Sequence, residues 1–127
     1  MSSLLPAKKG FILGTALLAL AVLIGAFGAH GLKAMVTAEK LVTFETGVRY
    51  HFYHGFAILL AAFYQQLFPQ AKMGMVINSF LVGILLFSFN CYFYAVSDIK
   101  TFAMIVPLGG LMFVLGWILF VKESLRN

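Results

Sequence analysis

Apolar residues fall in four long unbroken runs, and charge is confined to the gaps between them. Gly10–Leu32, Tyr50–Ala71, Met73–Ser97 and Thr101–Val121 contain no Asp, Glu, Lys or Arg. An α-helix rises about 1.5 Å per residue, so about 20 apolar residues cross the hydrocarbon core of a bilayer. Each run reaches that length. The pattern predicts an all-α, integral membrane four-helix bundle in a single domain, residues 1–127, with helices over about 10–29, 48–68, 73–96 and 102–121. Pro69 ends the second helix, because proline disfavours the helical state of the residue before it. Pro69–Lys72 and Ser97–Lys100 are short links, so the second, third and fourth helices follow one another as antiparallel hairpins.

The first connection has a different pattern. Leu41, Phe44 and Val48 recur at i, i+3 and i+7, with Glu39, Lys40 and Glu45 off that stripe, and Thr37 suits a helix cap. This predicts a short amphipathic helix on the membrane surface, leading into the second span.

Composition agrees: 62% of residues are hydrophobic and 10% are charged, against about 25% charged in soluble domains. The net charge of +5 raises the question of nucleic acid. Its nine Lys and Arg residues are spread over termini and loops rather than gathered on one face, which excludes that class and makes them topology signals. Five of them (Lys8, Lys9, Lys72, Lys122, Arg126) fall on the side of the termini and four (Lys33, Lys40, Arg49, Lys100) on the other. The expectation is a multi-pass protein of the bacterial inner (cytoplasmic) membrane with both termini in the cytoplasm. Lys8-Lys9 ahead of an apolar run has the look of a signal peptide, but the run is longer than a signal core, so it reads as an uncleaved first helix. The single cysteine, Cys91, permits no internal disulfide and no CxxC motif, and reads as a small buried hydrophobe.

Threading the helices back and forth sends His30, Arg49, His51, His54, Asn90 and Asp98 toward one membrane face. His51 and His54 are three residues apart and share a helical face. Three imidazoles can bind a metal and two can ligate a haem iron, yet no Cys, Asp or Glu stands with them at a diagnostic spacing. The expectation is no cofactor, with histidines satisfied by carbonyls, Tyr hydroxyls and water; haem or a metal at His30, His51 and His54 is the lesser alternative. Arg49 suits a lipid phosphate or an ion pair with Glu45. Asn90 suits an interhelical hydrogen bond of about 1 kcal/mol. Tyr50 and its aromatic neighbours fit an interfacial belt and bundle packing, or the wall of a quinone or lipid slot.

Small residues mark seams of close approach: Ala21, Gly25 and Ala29 with Gly28 on the first helix, and Gly109, Gly110 and Gly116 on the fourth. Pro107 is expected to kink the fourth helix, and Pro107–Gly110 also has the composition of a broken helix. Nothing pairs a nucleophile with a base, cradles a phosphate in a glycine-rich loop or sets two carboxylates together, so the chain does not read as an enzyme.

Three strings carry a resemblance: Gly25-Ala-Phe-Gly-Ala-His-Gly-Leu32, then Phe44-x-Thr46-Gly-Val-x-Tyr50-x-x-x-His54, then Pro107-x-Gly-Gly-x-x-Phe113-x-x-Gly-Trp117. In this order they resemble the YgdD-type family of small bacterial inner-membrane proteins, which has animal relatives. The resemblance implies four membrane helices and supplies no substrate, cofactor or catalytic residue. His30, Tyr50, His54, Pro107, Gly109, Gly110 and Trp117 match its pattern. The chain departs from it at Ser88–Cys91, and has Gly47 and His51 where Ala and Gln are more usual, so a site built on His51 would not be general to the family. Two functions fit these features. One is an accessory or scaffold component that packs through its small-residue seams against itself or a larger membrane complex. The other is binding or transport of a lipid, quinone, haem or small solute at the polar face.

Overall fold

The computed structural model describes the backbone from Leu4 to Asn127 and the side chains from Ala7 onward. Among the described residues it is all helical, with four long helices: α1 (Leu4–His30), α2 (Ala38–Leu67), α3 (Gly74–Ser97) and α4 (Lys100–Arg126). By length and composition, three segments can cross a membrane: Ala7–Ala34, Gly74–Ser97 and Lys100–Arg126. Helix α2 is as long as these, but carries Glu39, Lys40, Glu45 and Arg49 in its first half.

The expected separate surface helix is absent. After α1, a single 3-10 turn over Leu32–Ala34 leads to Thr37, whose hydroxyl accepts the Lys40 N–H at 3.3 Å and starts α2 at Ala38. The amphipathic stretch is therefore the first part of α2 rather than an element of its own. Phe44 on its stripe is buried and Leu41 and Val48 are half-buried, so packing against neighbouring helices wins over lying flat on a membrane.

The helices pack in sequence order, α1 on α2, α2 on α3 and α3 on α4. Backbones come close where glycine permits. The Gly14 and Gly55 backbones face one another between α1 and α2, and a Cβ on Gly14 would stand 3.3 Å from the Gly55 carbonyl. Gly109 of α4 lies on the backbone of Phe87 in α3. The main core joins Leu17, Ile58, Met73, Phe80, Ile84 and Phe113, and a smaller one at the other end joins Leu32, Phe44, Tyr92 and Ala95.

Helix α3 is not uniform. Gly74–Gly83 is α-helical, Ile84–Ser88 is a π-helical turn, and Phe89–Ser97 is α-helical again. A π turn carries one extra residue and leaves a carbonyl without its usual partner. Asn90 meets that need: its amide donates to the carbonyls of Leu86 at 2.9 Å and Leu85 at 3.2 Å. The bond expected across helices is made within one. Helix α4 runs on through Pro107 without a break.

The helix ends are tied by charge. At the end bearing the α1–α2 and α3–α4 connections, Lys40 pairs with Asp98. Asp98 is the αL residue that closes α3, a conformation Asp tolerates. At the opposite end, the buried Glu123 accepts the Lys72 backbone N–H at 2.9 Å and pairs with Arg126 at 2.7 Å.

Candidate functional site

Between α2 and α4, side chains rather than backbones meet, and they leave a groove of about 670 Å³ open to the side of the bundle. It is walled by Tyr50, Tyr53, Phe87, Phe113 and Trp117, with His54 at its base and Pro107 and Gly110 along the α4 rim. Helical spacing makes this wall: Pro107, Gly110, Val114 and Trp117 follow one another at three- and four-residue steps on α4, and on α2 Tyr53 and His54 lie three and four residues after Tyr50.

His54 is the polar centre. Its ring stacks on Phe113, with centroids 3.5 Å apart and planes within 9°. Nδ1 lies 2.9 Å from the Tyr50 carbonyl, which can only accept, so Nδ1 carries the proton. Nε2 is then a lone-pair acceptor, and the Trp117 indole N–H donates to it at 3.1 Å. Both nitrogens of a neutral imidazole are thereby satisfied in a buried setting. A metal or haem iron at Nε2 would first have to displace Trp117.

His51 points elsewhere. It is fully buried, and its Nδ1 bonds the Tyr92 hydroxyl at 2.8 Å. Its Nε2 is buried and has no hydrogen-bond partner among the described residues. The Ser88 hydroxyl, in the π turn, also has no partner.

The histidines do not gather at one membrane face. His30 is exposed at the end of α1, whereas His51 and His54 lie in the middle of α2. The displacement has a simple cause. Helix α2 begins at Ala38 rather than near Val48, and ten residues of helix amount to about 15 Å. Among the described residues, no three His, Cys, Asp or Glu side chains come together as a metal-binding group. Arg49 is exposed and forms no ion pair with Glu45.

The small-residue stripes lie mostly inside the bundle. Ala21 and Gly28 are buried, and a Cβ on Gly28 would collide with the Phe44 ring. Gly25 lies against Val48, and Ala29 is exposed. On α4, Gly116 lies against Phe80 and Gly109 against Phe87, while Gly110 meets nothing closer than 4.0 Å and faces the groove.

A family model described as a protein of unknown function (DUF423) matches residues 24–110, from the last turns of α1 to the Gly109-Gly110 pair. The chain belongs to the DUF423 family. Members with curated sequences are named as UPF0382 membrane proteins. One of them, YwdK of Bacillus subtilis, is 36% identical over 94% of this chain and 98% of its own length. A relative from Haemophilus influenzae is 36% identical over 84% of this chain and 85% of its own. Another, from Staphylococcus aureus, is 33% identical over 94% and 97%. No solved structure matches the chain. The family is one of small uncharacterised membrane proteins, as the three sequence strings imply.

Sequence reasoning did not find two parts of the site. Trp117 entered only through the family strings, and its bond to His54 is not a spacing signal. Phe113 is four residues before Trp117 on the same face, a periodicity that marks them as one wall but does not say which helix they meet.

Proposed function

We propose that this chain is a membrane-embedded binding protein whose α2–α4 groove seats an apolar molecule with a flat ring, of the quinone or lipid class. The observation that carries this reading is the groove itself: aromatic faces line it, and the one imidazole at its base is neutral and fully bonded. Such a surface offers stacking and dispersion rather than charge. Tyr50 and Tyr53 are part of its wall, and their hydroxyls are the donors that a ring carbonyl would use. The reading takes α2 as a fourth membrane span, and places the chain in the bacterial inner membrane with both termini in the cytoplasm, following the excess of Lys and Arg at that end.

Trp117 is the only tryptophan and lines the groove, so it reports on occupancy. Titrating the detergent-solubilised protein with a short-chain quinone should quench its fluorescence in a saturable way. Gly110→Phe, which fills the open side of the groove, should abolish the saturable part. A linear response in both proteins, equal to that of free tryptophan in micelles, would remove the basis for the proposal.

A second reading, an accessory or scaffold component, is favoured by the broad apolar outer face of α4, where Leu108, Leu111, Leu115 and Ile118 are exposed. Its partner would be a larger membrane complex or a second copy. Mass spectrometry of the tagged protein drawn gently from its own membranes decides it: a stoichiometric partner supports this role, and a lone monomer counts against it.

A further inference from the structure

We propose that the pocket between the start of α3 and the end of α4 holds the phosphate headgroup of an anionic phospholipid. The pocket has a volume of about 310 Å³ and is lined by Lys72, Met75, Leu119, Lys122, Glu123 and Arg126. Glu123 is already matched, by the Lys72 backbone N–H and by the Arg126 guanidinium. Lys72 and Lys122 have no carboxylate partner among the described residues, and both are exposed. Lys72 and Lys122 therefore line the pocket as residues of surplus positive charge, while Met75 and Leu119 give it an apolar wall. Cations above an apolar surface at the end of a membrane helix match a phosphate joined to acyl chains.

The charge of the whole chain points the same way. Lys8, Lys9, Lys72, Lys122 and Arg126 lie at this end with the single acid Glu123, five against one or +4. The other end has Lys33, Lys40, Arg49 and Lys100 against Glu39, Glu45 and Asp98, four against three or +1. The two ends sum to the net +5 of the chain. An anionic leaflet would favour the first end. A free phosphate ion shares the headgroup chemistry but makes no use of the Met75 and Leu119 wall.

The test is native mass spectrometry of the full chain released from detergent with equal amounts of phosphatidylglycerol and phosphatidylcholine. Phosphatidylglycerol adducts should dominate, and each lysine removed in Lys72→Ala/Lys122→Ala should weaken them about five-fold. Lys33→Ala/Lys100→Ala, at the other end, should leave them unchanged. Equal retention of the two lipids, or equal loss in both double variants, would overturn the site. Far-UV circular dichroism controls for folding, and the single variant Lys122→Gln, at an exposed position, carries the same expectation in milder form. Thermal protection by millimolar inorganic phosphate as large as that by phosphatidylglycerol would overturn the lipid assignment.

Discussion

Trp117 donates its indole N–H to Nε2 of His54 across 3.1 Å, joining the middle of α2 to α4 where the two backbones stand apart. The same imidazole is fixed from the other side by the Tyr50 carbonyl, one turn earlier on its own helix. The Tyr50 carbonyl thus sets the tautomer of His54, and Trp117 uses the acceptor that this tautomer leaves free to tie α4 to α2.

Trp117→Phe keeps an aromatic ring but leaves a buried acceptor without its donor. The expected loss of stability is about 1–3 kcal/mol. Unfolding in detergent followed by circular dichroism measures it, and a double-mutant cycle with His54→Leu isolates the bond. The penalty for Trp117→Phe should shrink in the His54→Leu background, and an undiminished penalty would assign the effect to ring size alone.

The two adjacent glycines of α4 should behave oppositely. A Cβ on Gly109 collides with the backbone of Phe87 and Leu86, which cannot swing aside, whereas a Cβ on Gly110 enters the open groove. Gly109→Ala should destabilise by at least about 1–3 kcal/mol, by overpacking. Gly110→Ala should be neutral or slightly stabilising, since alanine favours a helix over glycine by roughly 1 kcal/mol. Thermal melts of the two variants side by side make the comparison. Similar losses at both positions would contradict the close approach at Phe87.

Much of this arrangement is legible in the sequence, and the remainder is not, for identifiable reasons. Four uncharged runs announce helices, because length and apolarity are one-dimensional properties. The start of α2 is harder to read. The stripe at Leu41, Phe44 and Val48 describes a helix equally well on a membrane or against α1 and α3, and only tertiary packing decides. That choice moves His51 and His54 from a helix end to mid-bundle. The small-residue stripes mark close approach without naming the neighbour, and the structure turns most of them toward helices of the same chain. The π turn at Ile84–Ser88 leaves no trace in hydropathy. Asn90 hints at it only as an amide in an apolar run, with nothing to show that its partners are the Leu85 and Leu86 carbonyls of its own helix.

Asn90 accordingly has a specific role to test. Asn90→Leu keeps the volume near the original and removes both bonds to the π turn, leaving carbonyl density unmatched in an apolar setting. A destabilisation of about 1–2 kcal/mol is expected. The more telling measurement is amide hydrogen exchange, which should accelerate at Ile84–Phe89 and much less in the distant α1. Uniform acceleration along the chain would indicate a global loss of stability instead of a local one at the π turn.

The pairing of Lys40 with Asp98 links the first turn of α2 to the α3–α4 corner and makes that junction sensitive to acid. The hydrogen bond from Lys40, and then its charge, hold the Asp98 carboxyl below its ordinary value of 3.8. A carboxyl whose folded-state value is lowered binds its proton more readily in the unfolded chain. Its stabilising effect is therefore complete above 3.8 and is lost as pH falls through the lower folded value. The melting temperature should fall with acid in this range, and Asp98→Asn should make that fall shallower while lowering the neutral-pH value slightly. Because Asp98 is well exposed, salt should reduce the difference between the two proteins at neutral pH. Identical acid limbs for the two proteins would show that the pair contributes nothing to holding α2 against the corner.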